Sequence, residues 1–301
     1  MKPIGAAPKS APPLFFIAMP NPNVALLRQL VVRDLKLRYR STFLGFFWSL
    51  AKPGALILLF YCVFQLILNI RGGLSDFQPT ANYGVFVAIG IITWTYVSGA
   101  ILEGALAYLS HGHLIAKALF WRPVLPLACS LSHWVHYLFA QTVLVVGLGL
   151  LDYHDWGIEL LGLIPLSLYE LCLVAVGVWL LSWFQVLARD TLQFVELGLM
   201  VWFYGSPIVY PASIPLRSEA LLAHFAPNHL SLLYLANPLA PILVLRQRIL
   251  MSNHLADPAL LSPSPAQLRD SLMLALFLLG LLLALTWRLN RKVNRQIADR
   301  L

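Results

Sequence analysis

The sequence predicts an all-α membrane protein of six transmembrane helices, with an N-terminal amphipathic interfacial helix and short re-entrant helices between spans five and six. Three observations predict it. Hydrophobic residues fill 59% of the 301 positions and charged residues only 11%, which no soluble core of this size requires. Apolar runs long enough to cross about 30 Å of hydrocarbon recur along the chain. Lys and Arg collect at the ends of those runs, so the net charge of +8 reads as membrane orientation, and nucleic acid is not an expected partner.

Residues 1–22 are rich in Pro and Ala. Their apolar stretch, 14–19, is shorter than the about 7 to 15 residues of a signal-peptide core, so a disordered, uncleaved cytoplasmic lead-in is expected. Residues 23–45 read as the interfacial helix: Gln29, Arg33, Lys36 and Arg40 share a narrow face, and Leu27, Leu30, Val31, Leu35, Leu37 and Tyr39 spread over the rest. Asp34 and Arg38 fall inside the apolar arc, four apart with the acid first, a spacing that lets them pair along the helix while Arg38 also reaches for phosphates. An ordinary basic juxtamembrane anchor is the alternative reading.

Spans are predicted at 46–70, 83–109, 124–151, 158–184, 191–210 and 267–288, together a transmembrane domain over 46–288. The basic tail, 289–301, should share the side of the N-terminal segment. With both ends inside, sixteen Lys and Arg residues are cytoplasmic and five external, the orientation that the positive-inside rule favours. Between Pro211 and Pro265, apolar pieces at 219–226 and 230–250 are interrupted by Pro227, Pro238 and Pro241, and the second carries Arg246 and Arg248. If the second crossed alone, the tail would lie outside. Short re-entrant helices fit better, with 211–250 as a gate or, alternatively, an external cap.

No phosphate loop is present: Gly5-Ala-Ala-Pro-Lys-Ser lacks the second glycine, so the chain is expected to bind no ATP and to have no catalytic residues. Glu103, Glu170 and Glu196 fall inside predicted spans, where a carboxylate must face protein or water. His133 and His136 lie three apart on one helix, and His111 and His113 bracket a glycine, but neither pair has a third ligand at matching spacing, so no metal is expected. Asp152 and Asp155 read as a solvated turn. Cys62, Cys129 and Cys172 sit in apolar runs without ligand or disulfide patterning. Phe60, Tyr61 and Phe64, with Trp94 and Tyr96, and Phe194, Trp202, Phe203 and Tyr204, offer flat faces on which sugar rings could stack; interfacial belts and core packing are the plainer reading.

Five stretches, in order over nearly the whole chain, resemble the ABC-2 type permeases that export polysaccharides such as O-antigen, capsule and teichoic acid chains on polyprenyl carriers. They are Arg33-Asp34-Leu35-Lys36-Leu37-Arg38-Tyr39 with Leu44-Gly45, Trp48 and Pro53; Tyr83 with Gly90 and Trp94; Leu114-Ile115-Ala116-Lys117-Ala118-Leu119-Phe120-Trp121-Arg122 with Pro126; Arg189-Asp190; and Ser206-Pro207-Ile208-Val209-Tyr210 with Asn237-Pro238 and Arg246. The chain departs from the family in having Phe120-Trp121-Arg122-Pro123 where Phe-Pro-Arg is common, and Lys52 before Pro53 where Asn or Glu is common.

The resemblance implies an inner-membrane, multi-pass permease with both termini cytoplasmic. It would pair with a second copy around a channel and dock two cytoplasmic ABC ATPase subunits that bind the ATP and Mg, with no cofactor in this chain. It also implies residue roles. Arg33, Lys36, Arg38 and Arg40 would meet the carrier-lipid pyrophosphate. His111, His113, Lys117, Trp121, Arg122, Arg189 and Asp190 would couple to the ATPase. Phe60, Tyr61, Phe64, Phe194, Trp202, Phe203 and Tyr204 would line the channel, and Ser206, Pro207, Tyr210, Asn237 and Pro238 would form the outer gate. Rival readings are a proton-coupled secondary transporter, a small-lipid or drug exporter of the same wider group, and an intramembrane enzyme acting on lipid-linked sugars.

Overall fold

The computed structural model describes residues 22–39, 47–67, 81–117, 120–212, 214–215, 236–252 and 264–300, and these are helical without a strand. In chain order the helices are α1 (Pro22–Tyr39), α2 (Trp48–Tyr61) continued by a π-helical turn (Cys62–Ile67), α3 (Ala81–Ala105), α4 (Ala107–Ser110), α5 (Gly112–Lys117), α6 (Val124–Leu150), a 3-10 turn (Ile158–Gly162) leading into α7 (Leu163–Leu187), α8 (Thr191–Tyr204), α9 (Ala240–Leu250) and α10 (Pro265–Arg300).

Four of these are long and apolar enough to cross a membrane: Tyr83–Ala105, Val124–Leu150, Ile158–Leu187 and Pro265–Asn290. The protein is therefore a multi-pass membrane protein. The first and fifth predicted spans are shorter apolar helices, Trp48–Phe64 and Thr191–Tyr204. At 1.5 Å per residue the second of these reaches only about 21 Å. It stops because Gly205, Ser206 and Pro207 follow, and proline cannot donate the next helical bond. Helix α10 runs on through most of the predicted tail, to Arg300.

Helix α3 is the hub, packed against α6, α7, α2 and α8. Small residues permit this. A Cβ on Gly104 would meet Val178 Cγ1 at 2.2 Å, and one on Gly90 would meet the Ile208 carbonyl oxygen at 2.8 Å. At the far end of α6 the chain reverses through Asp152, whose φ of 59° is left-handed backbone that Asp tolerates better than most side chains. Tyr153 N–H returns to the Leu148 carbonyl at 3.0 Å and Asp152 N–H to Gly149 at 3.4 Å, closing the helix as a Schellman motif.

The two larger apolar clusters divide the molecule by height. The larger runs through α3, α6, α7 and α9. The smaller joins Leu30 of α1, Tyr108 of α4, Ile115 of α5, Val124 and Leu125 of α6 and Trp183 of α7, with Leu289 of α10 packed against it. The two ends of the described chain thus lie at one end of the bundle, the α1 end.

The lead-in before Pro22, the junction 40–46 and most of the predicted gate (213 and 216–235) lie outside the described residues. Of the gate, residues 211–212, 214–215 and 236–250 are described, and its helix α9 is buried among α3, α7 and α10.

Candidate functional site

Helix α1 seats Leu30 in the smaller cluster, with Leu26, Leu27 and Val31 beside it, and leaves Arg28, Gln29, Arg33 and Lys36 exposed. Leu37, expected in the apolar arc, is also exposed. The Asp34–Arg38 pair that the spacing suggested does not form. Arg33 takes Asp34 instead, at 3.2 Å, because Arg38 finds a carboxylate on a neighbouring helix. Its Nη2 donates to Glu103 Oε2 at 2.5 Å and lies 3.1 Å from His133 Nε2, which is itself 2.9 Å from the same carboxylate oxygen. One guanidinium thus ties α1 to α3 and α6. Gly99 makes room for the imidazole: a Cβ there would lie 3.2 Å from His133 Cε1.

A second tie sits beside the first. Arg33 Nη2 is 2.6 Å from His111 Nε2, and the other ring nitrogen lies 3.0 Å from the Ala107 carbonyl and 3.0 Å from Ser110 Oγ. In the loop that follows, Trp121 N–H donates to Asn23 Oδ1 at 3.1 Å, and the Trp121 ring meets Trp179 edge-on at 5.9 Å. The loop is therefore held at both ends, to α1 and to α7. His113 is exposed and Arg122 half-buried, while the side chain of Lys117 lies outside the described residues, as does Arg40 altogether. Arg189 and Asp190 are exposed in the turn before α8, where Gln185 Nε2 donates to the Arg189 carbonyl at 2.9 Å.

The aromatic residues of α2, α3 and α8 form one patch. Phe60 stacks on Phe64 at 6.0 Å and meets Phe203 at 5.7 Å, and Trp94 contacts Trp202 at 5.9 Å and Phe203 at 5.4 Å. Tyr204 packs edge-on against Phe203. Tyr61 rests over Gly84, where a Cβ would come within 3.2 Å of its ring. Phe194 does not join them; it is 74% exposed on the outer face of α8 with Val201 and Met200.

Beyond α8 the predicted gate residues converge on Asn237. Its Nδ2 donates to the Gly205 carbonyl at 3.0 Å and to Ser206 Oγ at 2.8 Å, and its Oδ1 accepts from Trp202 Nε1 at 2.8 Å and Leu239 N–H at 3.0 Å. Gln247 Nε2 donates to the Pro207 carbonyl, Tyr169 to that of Pro238 and Tyr210 to that of Tyr204.

Sequence reasoning noted Glu170 and Arg246 singly and missed their union. Both side chains are 0% exposed, 2.9 Å apart. Tyr137 adds its hydroxyl to the same carboxylate oxygen at 2.7 Å, and its ring lies 5.4 Å from the guanidinium carbon. The signal available was one cation and one anion in apolar runs, each requiring a partner; nothing local says which. Glu103, Cys129 and His133 bring a carboxylate oxygen, a sulfur and a ring nitrogen within 4.8 Å of one another, a donor set of the kind zinc accepts. Arg38 already supplies the cation there, so the group reads as an ion-pair socket. Glu196, the third span carboxylate, is exposed.

No protein-family model matches the chain. It aligns instead with O-antigen export system permease proteins RfbA. With one from Klebsiella pneumoniae it is 27% identical over 243 residues, 77% of this chain and 84% of that protein. The chain is similar to the polysaccharide export permeases. A second Klebsiella pneumoniae RfbA is 25% identical over 240 residues, and one from Myxococcus xanthus is 26% identical over 233 residues, covering 83% and 82% of their lengths. The likeness to polysaccharide export permeases therefore extends over most of both partners.

Proposed function

We propose that this chain is the membrane permease subunit of an ATP-driven ABC exporter that moves a polyprenyl-linked polysaccharide across the cytoplasmic membrane. Two copies would enclose the channel, and two separate ATPase subunits would dock at the α1 end, which faces the cytoplasm. The observation that carries this reading is a convergence at that end, in a chain similar to O-antigen export permeases. A helix with an exposed basic face is bonded through Arg38 to Glu103 and His133, and through Arg33 to His111 at the head of the adjoining loop.

Such bonds make a coupling device. A push on α1 or on the 111–122 loop by a closing ATPase passes into α3 and α6 as displacement of packed helices, and the exposed Arg189 and Asp190 give a second, smaller contact. Arg33, Lys36, Arg38 and Arg40 are the residues to meet the carrier's pyrophosphate through charge-assisted hydrogen bonds. The patch of Phe60, Phe64, Trp202 and Phe203, with Tyr61 and Tyr204, would line the path. Aromatic faces there let a hydroxylated polymer slide by stacking, without a deep binding well. The clasp about Asn237, with Ser206, Pro207, Pro238 and Tyr210, would be the outer gate, entered and left by re-entrant helices from the far side.

Deleting the gene should remove a glycan from the cell surface and leave drug sensitivity unchanged. Inactivating the partner ATPase should do the same. Export that survives ATPase inactivation but collapses when the proton gradient is dissipated would overturn the reading in favour of a secondary transporter.

A further inference from the structure

The socket that receives Arg38 has a third wall. Cys129 lies one turn before His133 on α6, and its sulfur, a carboxylate oxygen of Glu103 and a ring nitrogen of His133 are within 4.8 Å of one another. Residues four apart on a helix share one face, and α3 brings the acid to that face from the neighbouring helix. The spacing of the histidines does not reveal this set, because the companion of His133 is a cysteine and the third donor comes from another element.

These donors are more than a guanidinium needs, and one of them is in conflict. Arg38 Nη2 donates to Glu103 Oε2 at 2.5 Å. His133 Nε2 is 3.1 Å from that Nη2 and 2.9 Å from the same Oε2. One ring nitrogen cannot accept from Arg38 and donate to Glu103 at once, so one of the two contacts is not a hydrogen bond. A metal ion removes the conflict, since the imidazole and carboxylate lone pairs would then point at one cation.

We infer that this socket exchanges Arg38 for a zinc ion, held by Glu103, Cys129 and His133 with water in the fourth position. Tetrahedral zinc keeps N, O and S ligand atoms about 3.3 to 3.6 Å apart, so small turns of the Cys129 and Glu103 side chains complete the approach. His133 binds through Nε2 and carries its proton on Nδ1, beside Gly99, where the lack of a side chain leaves room for the ring. Arg38 has space to leave: it lines the cavity of about 450 Å³ between α2, α3 and α6, and also a neighbouring one of about 490 Å³ that contains Glu103 and Cys129 and reaches His111. Charge is conserved. Zinc brings two positive charges for the one that leaves, and the Cys129 thiol becomes a thiolate, so one proton is released for each ion bound. Thiolate and imidazole select zinc over magnesium or calcium. Zinc there pins α3 to α6 and releases Arg38, and with it this tie to α1. The inference rests on the geometry of the socket, so its failure would leave the export reading as it stands.

The test is isothermal titration of the purified full-length protein, without an oligohistidine tag, with Zn²⁺ in buffers of different ionisation enthalpy. One zinc should bind per chain with release of one proton, and Mg²⁺ should not bind. Cys129→Ser should weaken zinc about a hundredfold, since even the partners of metal ligands are worth about 10- to 100-fold. Arg38→Ala should tighten it about tenfold, because a charge-assisted bond that competes for Glu103 is gone. With Cd²⁺ as probe, the near-ultraviolet thiolate absorption should persist in Cys172→Ser and vanish in Cys129→Ser. If Cys129→Ser does not fold, Arg38→Ala decides by its sign. Zinc binding that is unchanged or weakened by Arg38→Ala overturns the inference. So does a cadmium–thiolate band that survives Cys129→Ser.

Discussion

Asn237 uses its side-chain amide fully, with two donated and two accepted hydrogen bonds that join the end of α8 to the start of α9. Replacing it by Ala would strand the Trp202 indole N–H in a partly buried setting, while the Gly205 carbonyl it also frees is exposed. The stranded N–H costs about 1 to 3 kcal/mol. Asn237→Ala should therefore lower the melting temperature in detergent by several degrees. Asn237→Asp should be at least as damaging, because its acceptor oxygen would face the Gly205 carbonyl. An unchanged melting curve for both variants would show that the clasp is not what holds these segments. The residue was legible as part of an Asn-Pro motif, but its four partners were not, since three of them come from a helix end more than thirty positions away.

At the scale of elements, α9 is short, carries two arginines and yet lies buried, which its sequence alone would not recommend. The ion pair of Arg246 with Glu170 explains how it stays there. Removing one partner leaves an uncompensated buried charge, a loss of about 3 to 5 kcal/mol, while exchanging both for apolar residues of similar volume is often tolerated. Glu170→Gln and Arg246→Met should each sharply reduce the yield of folded protein, and Glu170→Met with Arg246→Met should recover much of it. A double variant as poor as the sum of the singles would mean that the two residues act independently. Helices α3, α6, α7 and α10 were legible because twenty or more apolar residues admit few other structures in a bilayer. The lengths of α2 and α8 were not. Apolar content continues past Tyr204 to Tyr210, and composition does not reveal that the chain turns at Gly205-Ser206-Pro207. The same limit governs the site: the basic face of α1 was readable from its periodicity, whereas the choice of Glu103 over Asp34 as partner of Arg38 depends on how α1 lies against α3.

At the scale of the whole molecule, Leu289 of α10 and Leu30 of α1 pack in one cluster, together with Tyr108, Val124 and Trp183. Four full-length helices connect that end to the opposite one, so the number of crossings must be even. The predicted side, inside for both termini, follows from the placement of the basic residues and is open to direct measurement. In a variant lacking Cys62, Cys129 and Cys172, a cysteine can be placed by Gly157→Cys in the α6–α7 turn, where a Cβ has open space with its nearest neighbour 4.0 Å away. A second can be placed by Ala298→Cys in the last turns of α10. A membrane-impermeant maleimide added to intact cells should label position 157 and spare position 298 until the membrane is permeabilised. Labelling of 298 in intact cells would invert the molecule. It would put α1 and the 111–122 loop on the side without ATP, and the coupling proposed for Arg33 and Arg38 would have no motor to receive.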